Sequence, residues 1–192
     1  MKTTSIMIVG VGGQGTLLAS KLLGNVLIDQ GYDVKLSEVH GMSQRGGSVV
    51  TYVRYGDKVY SPIVDRGEAD VILSFELLES ARWIAWLKQG GVLLTNTQKP
   101  WPMPVITGAA QYPEDILEKL TAMADVQAVD ALALAEAAGS PKAVNVVLIG
   151  VLSRRMDIPE EAWLKAIETT VPAKFLEMNK KAFMLGRGGD GR

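Results

Sequence analysis

Cysteine is absent from the 192 residues, and histidine occurs once, as His40. The first absence excludes a disulfide framework, a thiolate zinc site, a cysteine nucleophile and any iron–sulfur cluster held by the chain's own thiolates. The second excludes a multi-histidine metal site within one chain. An excess of charge is missing too, with 20 Lys+Arg against 21 Asp+Glu and a formal net charge of -1. A polyanion binder normally carries a basic excess, so no nucleic acid is expected as a partner. Long apolar runs are also lacking. Ala143 to Leu152 is nearly apolar but is about half the length of a spanning helix, and it contains Asn145. The run Met1 to Gly10 meets glycine at once and has neither the apolar length nor the cleavage site of a signal peptide. A soluble, cytoplasmic protein with no membrane partner is the expectation.

What is present is ordinary globular material: 47% hydrophobic and 21% charged residues, enough to bury a core without staples. The length suits one α/β domain over residues 1–186, with a disordered tail over 187–192. Ser5 to Val9 reads as a buried strand that ends at Gly10. Gly13 to Gln30 carries leucines and valines at helical spacing and stops at Gly31. Asp33 to Val39 is a second strand, so the chain opens as a βαβ unit and implies a parallel pairing. Ser48 to Tyr55 is strand-like, and Lys58 to Ser61 can pair back on it after Gly56-Asp57. Asp70 to Ser74 and Val92 to Asn96 are further strands around a helix spanning Glu76 to Gln89. Lys99 to Pro104 reads as irregular, Pro113 to Ala124 as helix and Val126 to Val129 as a weak strand. The rest is helical, broken near prolines 141, 159 and 172. This alternation predicts a three-layer α/β/α architecture with a mainly parallel, partly mixed sheet, a Rossmann-like start and a helical C-terminal third.

Two glycine-rich segments stand out. Gly10-Val11-Gly12-Gly13-Gln14-Gly15 fits G-x-G-x-x-G between a strand and a helix. There, backbone N–H groups and a helix N-terminus favour an anion. Glu38 follows Gly15 by 23 residues, near where a ribose-binding acid sits in dinucleotide folds. Three readings stay open: a tight turn only, a phosphate-bearing ligand, or a nicotinamide or flavin dinucleotide. No glycine run ends in Gly-Lys-Ser/Thr, so this is no Walker loop.

The second segment is His40-Gly41-Met42-Ser43-Gln44-Arg45-Gly46-Gly47. Arg45 can fork onto phosphate or carboxylate, and Gly46-Gly47 can form an anion nest. A plain surface turn is the equal alternative. Because ligands of open parallel sheets bind at the strands' carboxyl ends, Gly10–Gly15, Glu38–Gly47, Ser74, Glu76 and Asn96 are expected to converge on one edge. That crevice has no evident nucleophile–base pair, and no catalytic residue is assigned. His40 as a general base is weighed against a hydrogen-bonding or interface role. Gly189-Asp190-Gly191 copies the start of a thiamine diphosphate motif, but the Asn-containing stretch that completes it does not follow. Among the tryptophans, Trp83 and Trp86 are expected on one helix face. Trp101, between two prolines, is the interface candidate.

Together, GVGGQGTLLASKLLG and SEVHGMSQRGGSVVTYVRYG resemble the gamma-type domain of 2-oxoacid:ferredoxin oxidoreductases, in particular the compact indolepyruvate type. The motifs cover Ile6 to Tyr55. The resemblance implies a non-cluster subunit of a hetero-oligomer that decarboxylates a 2-oxoacid oxidatively to an acyl-CoA and passes electrons to ferredoxin. Thiamine diphosphate and iron–sulfur clusters are then expected on a larger partner subunit. Coenzyme A contacts are a possibility for Gly10, Gly12, Gly13, Gln14, Gly15, Glu38, Ser43, Gln44, Arg45, Gly46 and Gly47. Alternatives are the gamma subunit of a pyruvate or 2-oxoglutarate enzyme, and a purely structural subunit. A free-standing NAD-dependent oxidoreductase using Gly10, Gly12, Gly15 and Glu38 is the rival class.

Overall fold

The computed structural model describes residues 2–39 and 46–188. Six strands form one sheet: β1 Thr4–Val11, β2 Asp33–Val39, β3 Ser48–Gly56, β4 Ala69–Ser74, β5 Leu87–Asn96 and β6 Asp125–Val129, in the order β2-β3-β1-β4-β5-β6. β1, β4, β5 and β6 are parallel neighbours. β3 runs antiparallel to both β1 and β2. β1 is buried throughout its centre, and its alternate side chains feed two cores. Ile6 and Ile8 face the larger one, under α1 (Thr16–Asp29) and the C-terminal helices. Met7 and Val9 face the smaller one, with Leu77, Ile116 and Leu120. This is the period-2 alternation of a strand covered on both faces.

The mixed three-layer architecture matches the expectation, with three corrections. First, β1 and β2 do not pair. β3 inserts between them, so the opening βαβ unit skips one place in the sheet. Second, Lys58 to Ser61 is no strand. Side chains bond to it instead: Val59 N donates to Asp33 Oδ2 at 2.9 Å, and Arg54 Nη1 donates to the carbonyl of Ser61 at 3.3 Å and to that of Ile63, just beyond, at 3.0 Å. Third, the helix expected over Glu76 to Gln89 is shorter. α2 covers Leu77–Trp83, a single 3₁₀ turn covers Ile84–Trp86, and β5 begins at Leu87. Gly90 has φ +77°, and a Cβ on Gly91 would lie 3.0 Å from the carbonyls of Ala69 and Asp70. The glycine pair thus lets β5 start early beside β4, where the register shifts. Trp83 and Trp86 still meet, edge to face at 4.7 Å, across the junction of the two helical turns.

A short helix, α3 (Met103–Ile106), starts within the segment read as irregular, and α4 (Ile116–Met123) opens after Asp115 at φ 57°. α5 (Ala131–Ala138) follows β6 directly. The apolar stretch becomes α6 (Val144–Ser153), every residue of which is buried. α8 (Leu176–Arg187) packs directly on it, and α7 (Glu160–Thr170) packs against α1 and α8. α8 runs into the expected tail: Arg187 Nη1 donates to Ser153 Oγ at 2.8 Å. Residues 189–192 lie outside the described residues.

α6 and α8 touch through glycines. A Cβ on Gly150 would lie 2.2 Å from the Phe183 carbonyl, and one on Gly186 would lie 2.0 Å from the Val147 carbonyl. Backbone atoms cannot yield as a side chain would. Gly150→Ala should therefore destabilise the fold by about 2 kcal/mol or more, read as a lower urea midpoint with an unchanged m value.

Candidate functional site

The two glycine segments meet at the carboxyl edge of β1. The β1–β3 ladder continues beyond Val11 and Ser48, with Gly12 N donating to Gly47 O at 2.9 Å and Gly46 N donating to Gly12 O at 3.2 Å. The Gln14 side chain folds back, its Oε1 accepting from Val11 N at 2.8 Å. Gly10 must be glycine for that: a Cβ there would come within 2.7 Å of Gln14 Oε1 and 3.0 Å of the Phe75 Cβ. Gly15 leads into α1 at φ 86°, where Asn145 Nδ2 donates to its carbonyl at 3.3 Å. The N–H groups of Thr16 and Leu17 have no partner among the described residues. They are the orphan donors of a helix start.

The Gly12–Gly47 bridge forms a ridge between two clefts. On the α1 side, a cleft of about 370 Å³ is lined by Gly12, Gly13, Gly15, Thr16, Leu17, Val39 and Val49 to Thr51. On the α2 side, a cleft of about 470 Å³ is lined by Val11, Gly12, Gln14, Gly46 to Ser48, Glu76, Leu78, Glu79, Arg82 and Pro100 to Pro104. Trp101 there is 64% exposed, as an interface candidate should be.

Glu76 is 2% exposed and caps α2, its carboxylate accepting from Leu78 N at 2.8 Å and from Glu79 N. Burial pushes its carboxyl up to about 7, against the two amide hydrogen bonds. Tyr112 is pushed up to about 12, by burial first and by the charge of Glu76 second. Glu79 is a hub. It accepts from Ser48 Oγ, from Trp83 Nε1 at 3.2 Å and, in an ion pair, from Arg82 Nε at 3.1 Å.

The sequence-derived candidates thus divide. Gly10, Gly12, Gly13, Gln14, Gly15, Gly46 and Gly47 come together. His40, Ser43, Gln44 and Arg45 lie outside the described residues. Glu38 lies apart, in a groove between β2 and α1, where Ser20 Oγ donates to its carboxylate at 2.8 Å. Ser74 and Asn96 reach the expected edge but serve the fold. Ser74 Oγ donates to Glu76 O at 2.8 Å, and Asn96 joins the Phe75 carbonyl to the start of α5. Sequence reasoning missed Glu79, Arg82, Thr16 and the seating role of Asn145. Asn145 had a signal, being the one polar residue in the apolar stretch. Glu79 had a weaker one, three residues after an acidic N-cap.

A family model described as pyruvate ferredoxin/flavodoxin oxidoreductase matches residues 5–188. The chain belongs to that family. Among curated relatives, the indolepyruvate oxidoreductase subunit IorB of Thermococcus kodakarensis is 46% identical over 192 residues, covering 97% of this chain and 95% of its own length. The gamma subunit of a keto/oxoacid ferredoxin oxidoreductase from Geobacter sulfurreducens is 26% identical, with TM-score 0.71 and 95% of each chain covered. A 2-oxoglutarate:ferredoxin oxidoreductase from Magnetococcus marinus, solved with 2-oxoglutarate, coenzyme A and succinyl-CoA, shares the fold at TM-score 0.76 and 19% identity. It covers 98% of this chain and 31% of that one. The relatives named as subunits belong to oxidoreductase complexes of several chains. No helix among the described residues is long and apolar enough to cross a membrane.

Glu76 gives a pH test. The folded state holds its proton to about pH 7, whereas the ordinary value is 4.5. Between those values the folded chain binds more protons than the unfolded one, so this group's contribution to stability falls as pH rises. Glu76→Gln keeps an acceptor oxygen and removes the titration. Near pH 4 the two proteins should unfold alike, and at pH 8 the variant should be more stable by on the order of 2 kcal/mol. Chemical denaturation at the two pH values measures it.

Proposed function

We infer that this chain is the small, cluster-free subunit of an indolepyruvate:ferredoxin oxidoreductase. The complex decarboxylates an arylpyruvate oxidatively, forms an acyl-CoA and passes electrons to ferredoxin in the cytoplasm. The observation that carries the reading is 46% identity over nearly the full length of an indolepyruvate oxidoreductase subunit, including both glycine motifs' share of the chain. Composition agrees: with no cysteine, the chain supplies no thiolate to a cluster. The redox centres and thiamine diphosphate accordingly belong to a larger partner subunit.

The α1-side cleft is the place for coenzyme A contacts on this chain. Its fit rests on chemistry already described: two orphan amides at a helix start, glycines that let backbone approach an anion, and an apolar wall from Val39, Val49 and Val50. Thr16 and Leu17 N–H would hold a phosphate group, and Gly13 and Gly15 would leave room for it. Coenzyme A, when bound, supplies the thiol that takes the acyl group. The role of this chain's residues is to bind and orient it.

The test is co-expression with the larger subunit. The assembled complex should reduce ferredoxin with indolepyruvate and coenzyme A at a higher kcat/KM than with pyruvate. The isolated chain should be colourless, iron-free and inactive. A preference for pyruvate or 2-oxoglutarate would move the assignment to a gamma subunit of that specificity. Nicotinamide reduction by the isolated chain would overturn the subunit reading altogether.

Gly13 probes the cleft. Its φ is +100° and no atom lies within 4 Å of a Cβ placed there, so the strain of Gly13→Ala is conformational alone. A left-handed backbone costs a non-glycine residue roughly 1–2 kcal/mol, which the loop would relieve by shifting. In the complex, the variant should raise KM for coenzyme A by about tenfold, corresponding to about 1.4 kcal/mol, while kcat changes little.

A further inference from the structure

A second surface lies on the far side of Ser48 from coenzyme A's proposed cleft. Arg66 is exposed, and its guanidinium lies 4.8 Å from the centroid of the Trp86 ring. Trp86 packs edge to face on Trp83, and Arg82 stands beside them, half exposed. These four residues and Ser48 line a shallow depression of about 340 Å³. Ser48 and Arg82 also line the α2-side cleft, so the surface runs on to the exposed Trp101.

The charges on this surface are unequal in their availability. Glu79 is enclosed by Arg82, Ser48 and Trp83. Asp65 and Glu68 flank Arg66 in the chain, yet Arg66 has no ion pair among the described residues. A guanidinium stacked on an indole keeps its in-plane N–H groups for a forked bond to a carboxylate. Exposed arginines beside half-buried tryptophans are the composition of an interface anchor. A shallow depression of this kind suits a protein surface better than an enclosed small molecule.

We propose that the Arg66–Trp86 stack, with Arg82 and Trp83, is a docking surface for an acidic segment of the larger subunit. The inference rests on the subunit reading. The partner's carboxylate pairs with Arg66, and its neighbouring apolar side chain covers the tryptophan pair.

The experiment measures the affinity of the small chain for the larger subunit over a series of salt concentrations. It uses wild type, Arg66→Glu and Lys181→Glu, a control on the exposed face of α8. Arg66→Glu should weaken assembly at least tenfold at low salt and flatten its salt dependence, with the circular dichroism of the small chain unchanged. Lys181→Glu should do neither. Equal affinity and an equal salt slope for wild type and Arg66→Glu would overturn the docking surface while leaving the subunit reading intact. Failure of wild type itself to bind would overturn both. Inorganic phosphate or coenzyme A changing Trp fluorescence in an Arg66-dependent way, with assembly unaffected by the substitution, would make this a small-anion site and sink the proposal.

Discussion

The site depends on two hydrogen bonds between glycine backbones, Gly12 N to Gly47 O and Gly46 N to Gly12 O. They carry the β1–β3 pairing past the ends of both strands. Each is an ordinary amide-to-carbonyl hydrogen bond, worth about 1 kcal/mol net. Their consequence is geometric: segments more than thirty positions apart in sequence become one ridge, and the ridge divides the carboxyl edge into two clefts. The packing beneath leaves little freedom. Gly10 is pinned between Gln14 and Phe75, and Gly15 sits against Asn145 of the fully buried α6. The glycine loop is thus fixed by the second motif above and by the largest apolar element of the fold below.

Most polar groups at this edge are already committed. Ser74, Asn96, Ser80 and Thr95 bond to backbone or to each other, holding β4, β5 and the start of α5. Glu76 caps a helix, and Glu79 binds three neighbours. Both carboxylate oxygens of Glu76 are taken up by helix amides, and those of Glu79 by Ser48, Trp83 and Arg82. What is left open is of another kind: helix-start amides and glycine surface on one side, arginines and tryptophans on the other. Such groups bind and position. They suit a chain whose relatives are named as subunits of oxidoreductases, and they explain why no acid–base pair could be found by reading the residues.

The fold was legible where local pattern and tertiary environment agree. The apolar run of β1, the leucine spacing of α1 and the turn glycines each specified their element. The misreadings share one cause, competition from distant groups. Lys58 to Ser61 has hairpin composition, but Asp33 and Arg54 supply its hydrogen bonds first. The residues from Leu87 to Gln89 extend a helical pattern, yet Gly90-Gly91 lets the chain join β4 sooner. The site was legible as motifs, since glycines at fixed offsets constrain the backbone wherever they occur. It was not legible as a neighbourhood. Nothing in Glu79's local sequence says that Ser48, thirty-one positions away, will donate to it.

The insertion of β3 also bears on the dinucleotide alternative. In a dinucleotide fold, the strand carrying the ribose-binding acid lies next to the strand that leads into the glycine turn. Here β3 occupies that place, so Glu38 on β2 lies two inter-strand spacings from β1, about 9–10 Å sideways. Its carboxylate is directed to Ser20 on α1, in a groove distinct from the glycine cleft. An antiparallel neighbour changes the chemistry of the edge as well. A parallel strand would deliver its carboxyl end and then a helix. β3 instead delivers its amino end, with Gly46 and Gly47 bonded to Gly12 and the Ser48 hydroxyl donating to Glu79. The crevice at β1 therefore has one helix N-terminus aimed at it from α1 and a flat glycine strip opposite. That asymmetry suits a ligand anchored by phosphate at one end and running along backbone, and Glu38, the acid at the ribose-binding interval, does not line the cleft on the α1 side.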